Sequence, residues 1–361
     1  MSPPTRDTVP NGVKLAYGLG ALGPAMVGST LIFFFMIFLT NVAGLPPALA
    51  GTILLIGKFW DAINDPIIGW LSDRTRSRIG RRLPWMIGAT LPFALLFILQ
   101  WWVPPTAGNT TMHFLYYVVV VLLFRAVYTA LTLPHQALTA ELTRDYDERT
   151  RLSSYRQFAD LGGSVAGLIL AMVVFKVMAN QSQAHQFFGL GVAISAVVVV
   201  TMPICLAGIW KAAKEADCPP GPQKPVNPYK GVWIALQNRP FRLVCGIFLC
   251  SWLALQFTAT ILPYYVTSWM GLPYEEFNKL ALTVQGTGLL LIPAWAWLAV
   301  RLGKNAVYQI GMSFWLVAQA ALFFLPADSL KAVYGLAVLA GFGVSVCYLI
   351  PFAMMPDVVE L

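Results

Sequence analysis

A chain of 361 residues that is 58% hydrophobic and only 11% charged does not have water as its main solvent, because soluble domains carry roughly a quarter charged residues. Its mean hydropathy is +0.67, and most of its apolar runs exceed the roughly 20 residues needed to span hydrocarbon. A net charge of +8 would suit a nucleic-acid partner, but the placement of that charge argues against one.

The apolar runs predict an all-α membrane protein with ten spanning helices. The first, 15–40, is too long for a signal h-region and lacks a small-residue cleavage site, so it stays as a membrane helix. Spans follow at 47–71, 84–103, 112–134, 153–179 and 186–210, and after a polar stretch at 242–269, 279–300, 306–326 and 331–356. Basic residues fall on alternate connections. One side holds Arg6 and Lys14, then Arg74, Arg76, Arg78, Arg81 and Arg82, then Arg144, Arg149 and Arg151, then the polar stretch, then Arg301 and Lys304; the other has only Lys176, Lys279 and Lys331. This positive-inside bias predicts a cytoplasmic N-terminus in a cell inner or plasma membrane. The basic excess is therefore a topology signal. Cys205, Cys218, Cys245, Cys250 and Cys347 show no metal-ligand or redox spacing.

Lys211 to Arg239 forms the one long polar connection, and its Pro-rich centre reads as a cytoplasmic linker. The expected organisation is a six-helix bundle over 1–210, a linker over 211–240 and a four-helix bundle over 241–361. Two internal echoes cross the linker. Pro66…Trp70-Leu71 followed by Arg78-Ile-Gly80-Arg81 is echoed by Pro293…Trp297-Leu298 followed by Arg301-Leu-Gly303-Lys304, and Pro134…Ala137…Glu141 by Pro351…Ala353…Asp357. Transporters built from repeated bundles carry such symmetry. Six helices against four is asymmetric, and truncation of the second bundle is the expectation.

Charges inside the spans are costly and are site candidates by default. They are Lys58, Asp61, Asp65, Arg125 and Asp160, with Arg156 near a helix entrance. Lys58, Asp61 and Asp65 share one helical face, with Asp61 and Asp65 one turn apart. Two such carboxylates cannot both ionise in low dielectric unless a cation joins them. The plainer alternative is that Lys58 neutralises one acid and the other rests protonated. Pro66 removes a backbone hydrogen bond beside the pair. The basic loop Asp73–Arg82 is topogenic, and its arginines can also latch onto acidic helix ends, with Glu141, Asp145, Asp147 and Glu148 as partners. Arg125, Tyr128, Thr129 and Thr132 share a face of helix 4. Arg125 needs Asp160, Asp61 or a substrate anion as partner, while Arg156 and Asp160 stand four apart and can pair with each other. Trp101, Trp102, Tyr116, Tyr117 and Trp269 sit at span ends and read mostly as an interfacial belt. No nucleophile–base or metal constellation marks an enzyme.

Lys58-Phe-Trp-Asp61-Ala-Ile-Asn64-Asp65-Pro66-Ile-Ile-Gly69-Trp70, the Arg78-Ile-Gly80-Arg81 loop and Leu142 to Arg156 together resemble the glycoside–pentoside–hexuronide:cation symporters, the melibiose permease type of the major facilitator superfamily. Asn238-Arg-Pro-Phe241 and Pro351-Phe-Ala-Met-Met-Pro356-Asp357 fit the same family, whose members have twelve helices. The resemblance implies a major facilitator fold and a monomeric carrier working by alternating access, with no cofactor, no nucleic-acid partner and a small-molecule substrate moved across the lipid bilayer. It implies cation binding by Asp61, Asn64, Asp65 and Thr129, with Na⁺ as coupling ion and H⁺ as the alternative. Its sugar-site positions fall on Tyr128, Thr132 and Gln136, and Arg156 matches a conformationally important arginine; with the intramembrane charges Arg125 and Asp160 these are the substrate-contact candidates, and Asp73, Arg78, Gly80 and Arg81 are the candidate cytoplasmic gating loop. The galactoside-binding pattern is not kept: Ala25 and Thr132 stand where acids would, and Gln136 where an aromatic would. The family's functional lysine in the eleventh helix has no counterpart here. The expected cargo is a small organic solute other than a typical galactoside, the alternatives being a lysolipid or other amphiphile, or a truncated, non-transporting membrane protein.

Overall fold

The structure, a computed structural model, describes residues 9–105, 109–143, 146–215, 237–326 and 329–359. Regular structure among these residues is helical throughout. Helix α1 is Asn11–Thr30, prolonged by π-type turns at Leu31–Phe35 and Phe38–Val42; α2 is Pro47–Arg74, α3 Leu83–Gln100, α4 Thr110–Leu142, α5 Tyr146–Val177 and α6 Gln183–Glu215. Then come α7 (Arg239–Tyr264, with a π-type turn at Tyr265–Trp269), α8 (Tyr274–Leu302), α9 (Lys304–Phe324) and α10 (Leu330–Val359). The chain divides into two compact units, Met1–Pro222 and Gln223–Leu361. Residues 216–236 of the expected linker lie outside the described residues.

Nine helices among the described residues are long and apolar enough to cross a membrane. The tenth, α2, is long enough but is held below that apolar level by Lys58, Asp61, Asn64 and Asp65. Helix α4 has 33 residues, α5 32 and α6 33. At 1.5 Å per residue each is about 50 Å long, against about 30 Å of hydrocarbon. Their polar ends therefore continue as helix beyond the apolar runs, and α4 reaches Leu142 although its apolar run ends near 134. The start of α4 is fixed by Asn109, whose Oδ1 accepts from the backbone N–H of Thr111 at 3.0 Å and Met112 at 3.2 Å.

In the first unit α1 packs between α5 and α6. Lipid supplies no hydrophobic drive for helices to associate, so close approach through small residues does the work. A Cβ at Gly163 of α5 would stand 2.5 Å from the Leu22 carbonyl oxygen and 2.9 Å from the Ala25 Cβ. Gly208 of α6 meets Ala16 just as tightly. Helices α1 and α4 are clasped by reciprocal bonds. The Tyr17 hydroxyl donates to the His135 carbonyl at 3.1 Å, His135 Nε2 lies 3.0 Å from the Tyr17 carbonyl, and the two rings stack at 4.5 Å. Beside the start of α1, Lys14 Nζ lies 2.7 Å from Glu148 Oε2, both nearly buried, and Glu148 also accepts from the Val9 N–H and from Arg151. The Lys14 bond holds the Glu148 carboxyl below the usual glutamate range. The anchor is therefore complete at neutral pH and is lost only as pH falls through that lowered value.

Two residues expected in an interfacial belt are core residues instead. Trp101 and Tyr117 are fully buried, and Trp101 stacks on Phe187 at 5.5 Å beside Phe35 and Phe38. Phe35 and Phe38 lie in the π-type turns and are buried, and only Trp102 of the neighbouring pair is exposed.

In the second unit α10 packs against α8 and α9, around Trp295, Val307, Val346 and Ile350 and around Trp315, Ala318, Ala340 and Val344. The internal echo has a physical counterpart. The Arg74 guanidinium lies 4.0 Å over the Trp70 ring, and Arg301 lies 4.0 Å over Trp297. The turns that follow use left-handed glycines, Gly80 at φ 99° and Gly303 at φ 83°. By its tryptophan contact, Arg301 matches Arg74 rather than Arg78. Cys205, Cys245, Cys250 and Cys347 are free thiols, and Cys218 lies outside the described residues.

Gly163→Ala is expected to destabilise the protein by about 1–3 kcal/mol, because its Cβ meets backbone rather than a side chain that can move. Gly51→Ala, with open space around it, is expected to be neutral or to gain up to about 1 kcal/mol. Thermal unfolding in detergent compares the two.

Candidate functional site

Helix α2 begins at Pro47, carries Pro66 within it and packs against α4. Two glycines set the separation of that seam. A Cβ at Gly57 would stand 3.0 Å from Val121 Cγ1, and one at Gly69 would stand 3.3 Å from Leu133 Cδ2. Between these close points lie the charges. Arg125 Nη1 of α4 is 3.4 Å from Asp61 Oδ2 of α2, with side chains 21% and 24% exposed. One turn further along each helix, the Thr129 hydroxyl donates to Asp65 Oδ1 at 2.7 Å. Thr129 and Asn64 are buried, and the Asn64 Nδ2 has no hydrogen-bond partner among the described residues.

The structure thus brings Asp61, Asn64, Asp65 and Thr129 to one seam and selects Asp61 as the partner of Arg125. Lys58 makes no ion pair among the described residues, although both carboxylates are within its electrostatic range. Asp61 is met by Arg125 rather than by Lys58. The charge balance differs accordingly: two carboxylates stand among two cations, all on α2 and α4. Arg156 and Asp160 on α5 are half-buried and make no ion pair with each other. Tyr128 stacks at 5.7 Å on Phe93 and has Asp160, Arg125, Asp61 and Asp65 within electrostatic range. The Thr132 hydroxyl is spent on the Tyr128 carbonyl at 2.9 Å, and Gln136 is exposed. Ala25 is buried against Gly163, so α5 occupies the space an acidic side chain there would need.

The basic loop forms a compact ionic knot at the end of the same helices. Arg82, nearly buried, donates from Nε to Glu141 Oε1 at 3.0 Å and from Nη1 to Ser72 Oγ at 2.7 Å, and its Nη2 pairs with Asp73. Arg81 Nη2 reaches Glu141 Oε1 at 3.1 Å. The knot joins the end of α2, the start of α3 and the end of α4. Asp73 and Arg81 belong to it, and Gly80 supplies its turn. Arg78 is exposed and makes no ion pair among the described residues. Arg82 is the residue that sequence reasoning did not single out. Its position directly before Leu83, where α3 begins, is the one signal it offered. Glu148 pairs with Lys14 and Arg151. Asp145 and the side chain of Asp147 lie outside the described residues.

Residues 16–361 match the family described as MFS/sugar transport protein. The chain belongs to that family. This MFS/sugar transport protein is similar to an uncharacterized symporter of Synechocystis sp., 40% identical over 96% of this chain and 78% of the relative. It is also similar to sodium-dependent lysophosphatidylcholine symporter 1-A of Danio rerio, 28% identical over 96% of this chain and 70% of the relative. Among solved structures, the nucleoside transporter NupG shares the fold, with a TM-score of 0.67 at 15% identity over 97% of this chain and 82% of its own. The protein is an integral membrane, helical member of a transporter family.

Because Arg82 makes three polar contacts and Arg78 none among the described residues, the two arginines should separate cleanly. Arg82→Gln is expected to cost about 2 kcal/mol of stability and Arg78→Gln less than about 0.5 kcal/mol. Thermal unfolding of the two variants beside the parent protein checks this.

Proposed function

We propose that this protein is a cation-coupled symporter of the melibiose permease type, working by alternating access. Na⁺ is its coupling ion, held by Asp61, Asn64, Asp65 and Thr129. The observation that carries the reading is the 2.7 Å bond from Thr129 to Asp65, one turn from the Arg125–Asp61 pair. It joins oxygen donors of two helices at the most charged point of the membrane domain. A proton needs one carboxylate, whereas a shell of several hard oxygens is what oxygen-preferring metal cations favour. The sodium-dependent relative supports the choice of ion. The bias of basic residues supports a cytoplasmic N-terminus, and the knot of Asp73, Arg81, Arg82 and Glu141 would then act as a cytoplasmic gate whose ion pairs differ between states.

The cargo is a small organic solute other than a galactoside. Ala25 has no room for an acid, and Thr132 puts a neutral hydroxyl where the sugar site would hold a carboxylate. A site lacking the acceptors that sugar hydroxyls need rejects that ligand strongly. The second reading, a carrier of lysolipids, is favoured by the lysophosphatidylcholine symporter among its relatives.

The test is uptake by proteoliposomes under an imposed Na⁺ gradient and, separately, an imposed pH gradient, with lysophosphatidylcholine, melibiose and lactose offered in turn. Neither galactoside should accumulate. Asp61→Asn and Asp65→Asn should each abolish Na⁺-driven accumulation while leaving some downhill exchange. Accumulation driven by pH alone would move the coupling to H⁺, and undiminished Na⁺-driven uptake in the double variant would remove the site.

A further inference from the structure

The α2–α4 seam has a charge balance that constrains what the protein carries. Asp61 and Asp65 face Lys58 and Arg125, two carboxylates and two cations, and Arg156 and Asp160 on α5 add one charge of each sign. The intramembrane set of the first unit is therefore formally neutral before any coupling ion is added. The described spans of the second unit hold no Asp, Glu, Lys or Arg near their centres. A Na⁺ at Asp61 and Asp65 adds one uncompensated positive charge to a membrane-spanning set that is otherwise balanced, and uncompensated charge within a membrane span is expensive.

Geometry says where that excess appears. Arg125 Nη1 contacts Asp61 Oδ2 at 3.4 Å, and that oxygen is among those a cation at the seam would use. Asp65 Oδ1 already accepts from Thr129, whose oxygen lone pairs stay available after its proton is donated. Na⁺ and the guanidinium thus compete for Asp61, and Na⁺ binding takes from Arg125 the one anion it pairs with among the described residues. A guanidinium cannot deprotonate, and its fork of donors matches phosphate and carboxylate oxygens. Lys58 offers no escape, being a cation itself.

We propose that Arg125 is a tethered cation that Na⁺ displaces from Asp61 and that then pairs with an anionic group of the cargo, so that the carried solute presents a phosphate or a carboxylate. The proposal rests on the Na⁺ site proposed above and adds the substrate class and the order of events. Na⁺ binds first, the anion follows, and one negative charge of the cargo compensates the charge that Na⁺ adds. A phosphate headgroup on an acyl chain and a small water-soluble phosphate share this chemistry.

The full chain in lipid nanodiscs, titrated by calorimetry, tests it. Arg125→Gln removes the competitor, and its Na⁺ affinity should rise roughly tenfold, the low end of what one neighbouring opposite charge does to a carboxylate. Arg125→Lys keeps the charge and should stay near the parent. With Na⁺ present, the parent should bind dodecyl phosphate, glycerol 3-phosphate or both more tightly than without it. Monolauroylglycerol and glycerol, the neutral counterparts, should show no such gain, and Arg125→Gln should lose it. A gain for dodecyl phosphate alone assigns a lipid-like cargo, and one for glycerol 3-phosphate alone a soluble one. Unchanged Na⁺ affinity in Arg125→Gln, an equal gain for neutral probes, or no Na⁺-dependent binding of either phosphate would overturn the proposal. Parent protein that binds no Na⁺, or binds it equally well as the Asp61→Asn, Asp65→Asn variant, would instead remove the cation site and this proposal with it.

Discussion

Two carboxylates one helical turn apart in a membrane helix must be neutralised, and the rest of the first unit is arranged around that requirement. Asp61 and Asp65 keep α2 less apolar than the nine other long helices among the described residues. An isolated helix with such a face would be poorly held in lipid. The face is tolerated because α4 lies against it closely enough for Arg125 to reach one acid and Thr129 the other. That closeness in turn needs Gly57 and Gly69, which let Val121 and Leu133 approach on either side of the charges.

The surrounding helices hold α4 in place. Tyr17 and His135 tie it to α1 through backbone carbonyls, Gly163 and Gly208 let α5 and α6 enclose α1, and the Arg81–Arg82–Glu141 knot ties its far end to α2 and α3. Packing through small residues and polar clasps suits a protein whose helices gain little from burying apolar surface against each other. Arrangements built on few discrete contacts also exchange readily for others, which alternating access requires.

Much of this was legible in the chain. Charges in an apolar run are conspicuous, and the period of 3.6 residues puts Lys58, Asp61 and Asp65 on one face. Thr129 entered through family resemblance, and no spacing within the sequence points to Asp65 as its partner. Arg125 could be given three partners from sequence and no more, since the choice depends on how α4 is rotated against α2. The same limit left open which of the loop's five arginines meets Glu141, and it hid the Lys14–Glu148 pair, 134 positions apart by their numbers in the chain. Trp101 and Tyr117 misled because aromatic residues at span ends usually meet the interface. Phe35 and Phe38, in the π-type turns after Thr30 that sequence does not announce, pack on Trp101, and Phe38 also packs on Tyr117.

The central claim is that Asp61 and Asp65 are ionised and meet Na⁺ directly. Infrared difference spectra recorded on adding Na⁺ in place of K⁺ report it, since ionised and protonated carboxyls absorb in separate regions. The account predicts that Na⁺ perturbs carboxylate stretches in the parent protein, less so in Asp61→Asn or Asp65→Asn, and not at all in the double variant. Loss of a protonated-carboxyl band on adding Na⁺, or a carboxylate signal unchanged in the double variant, would contradict it.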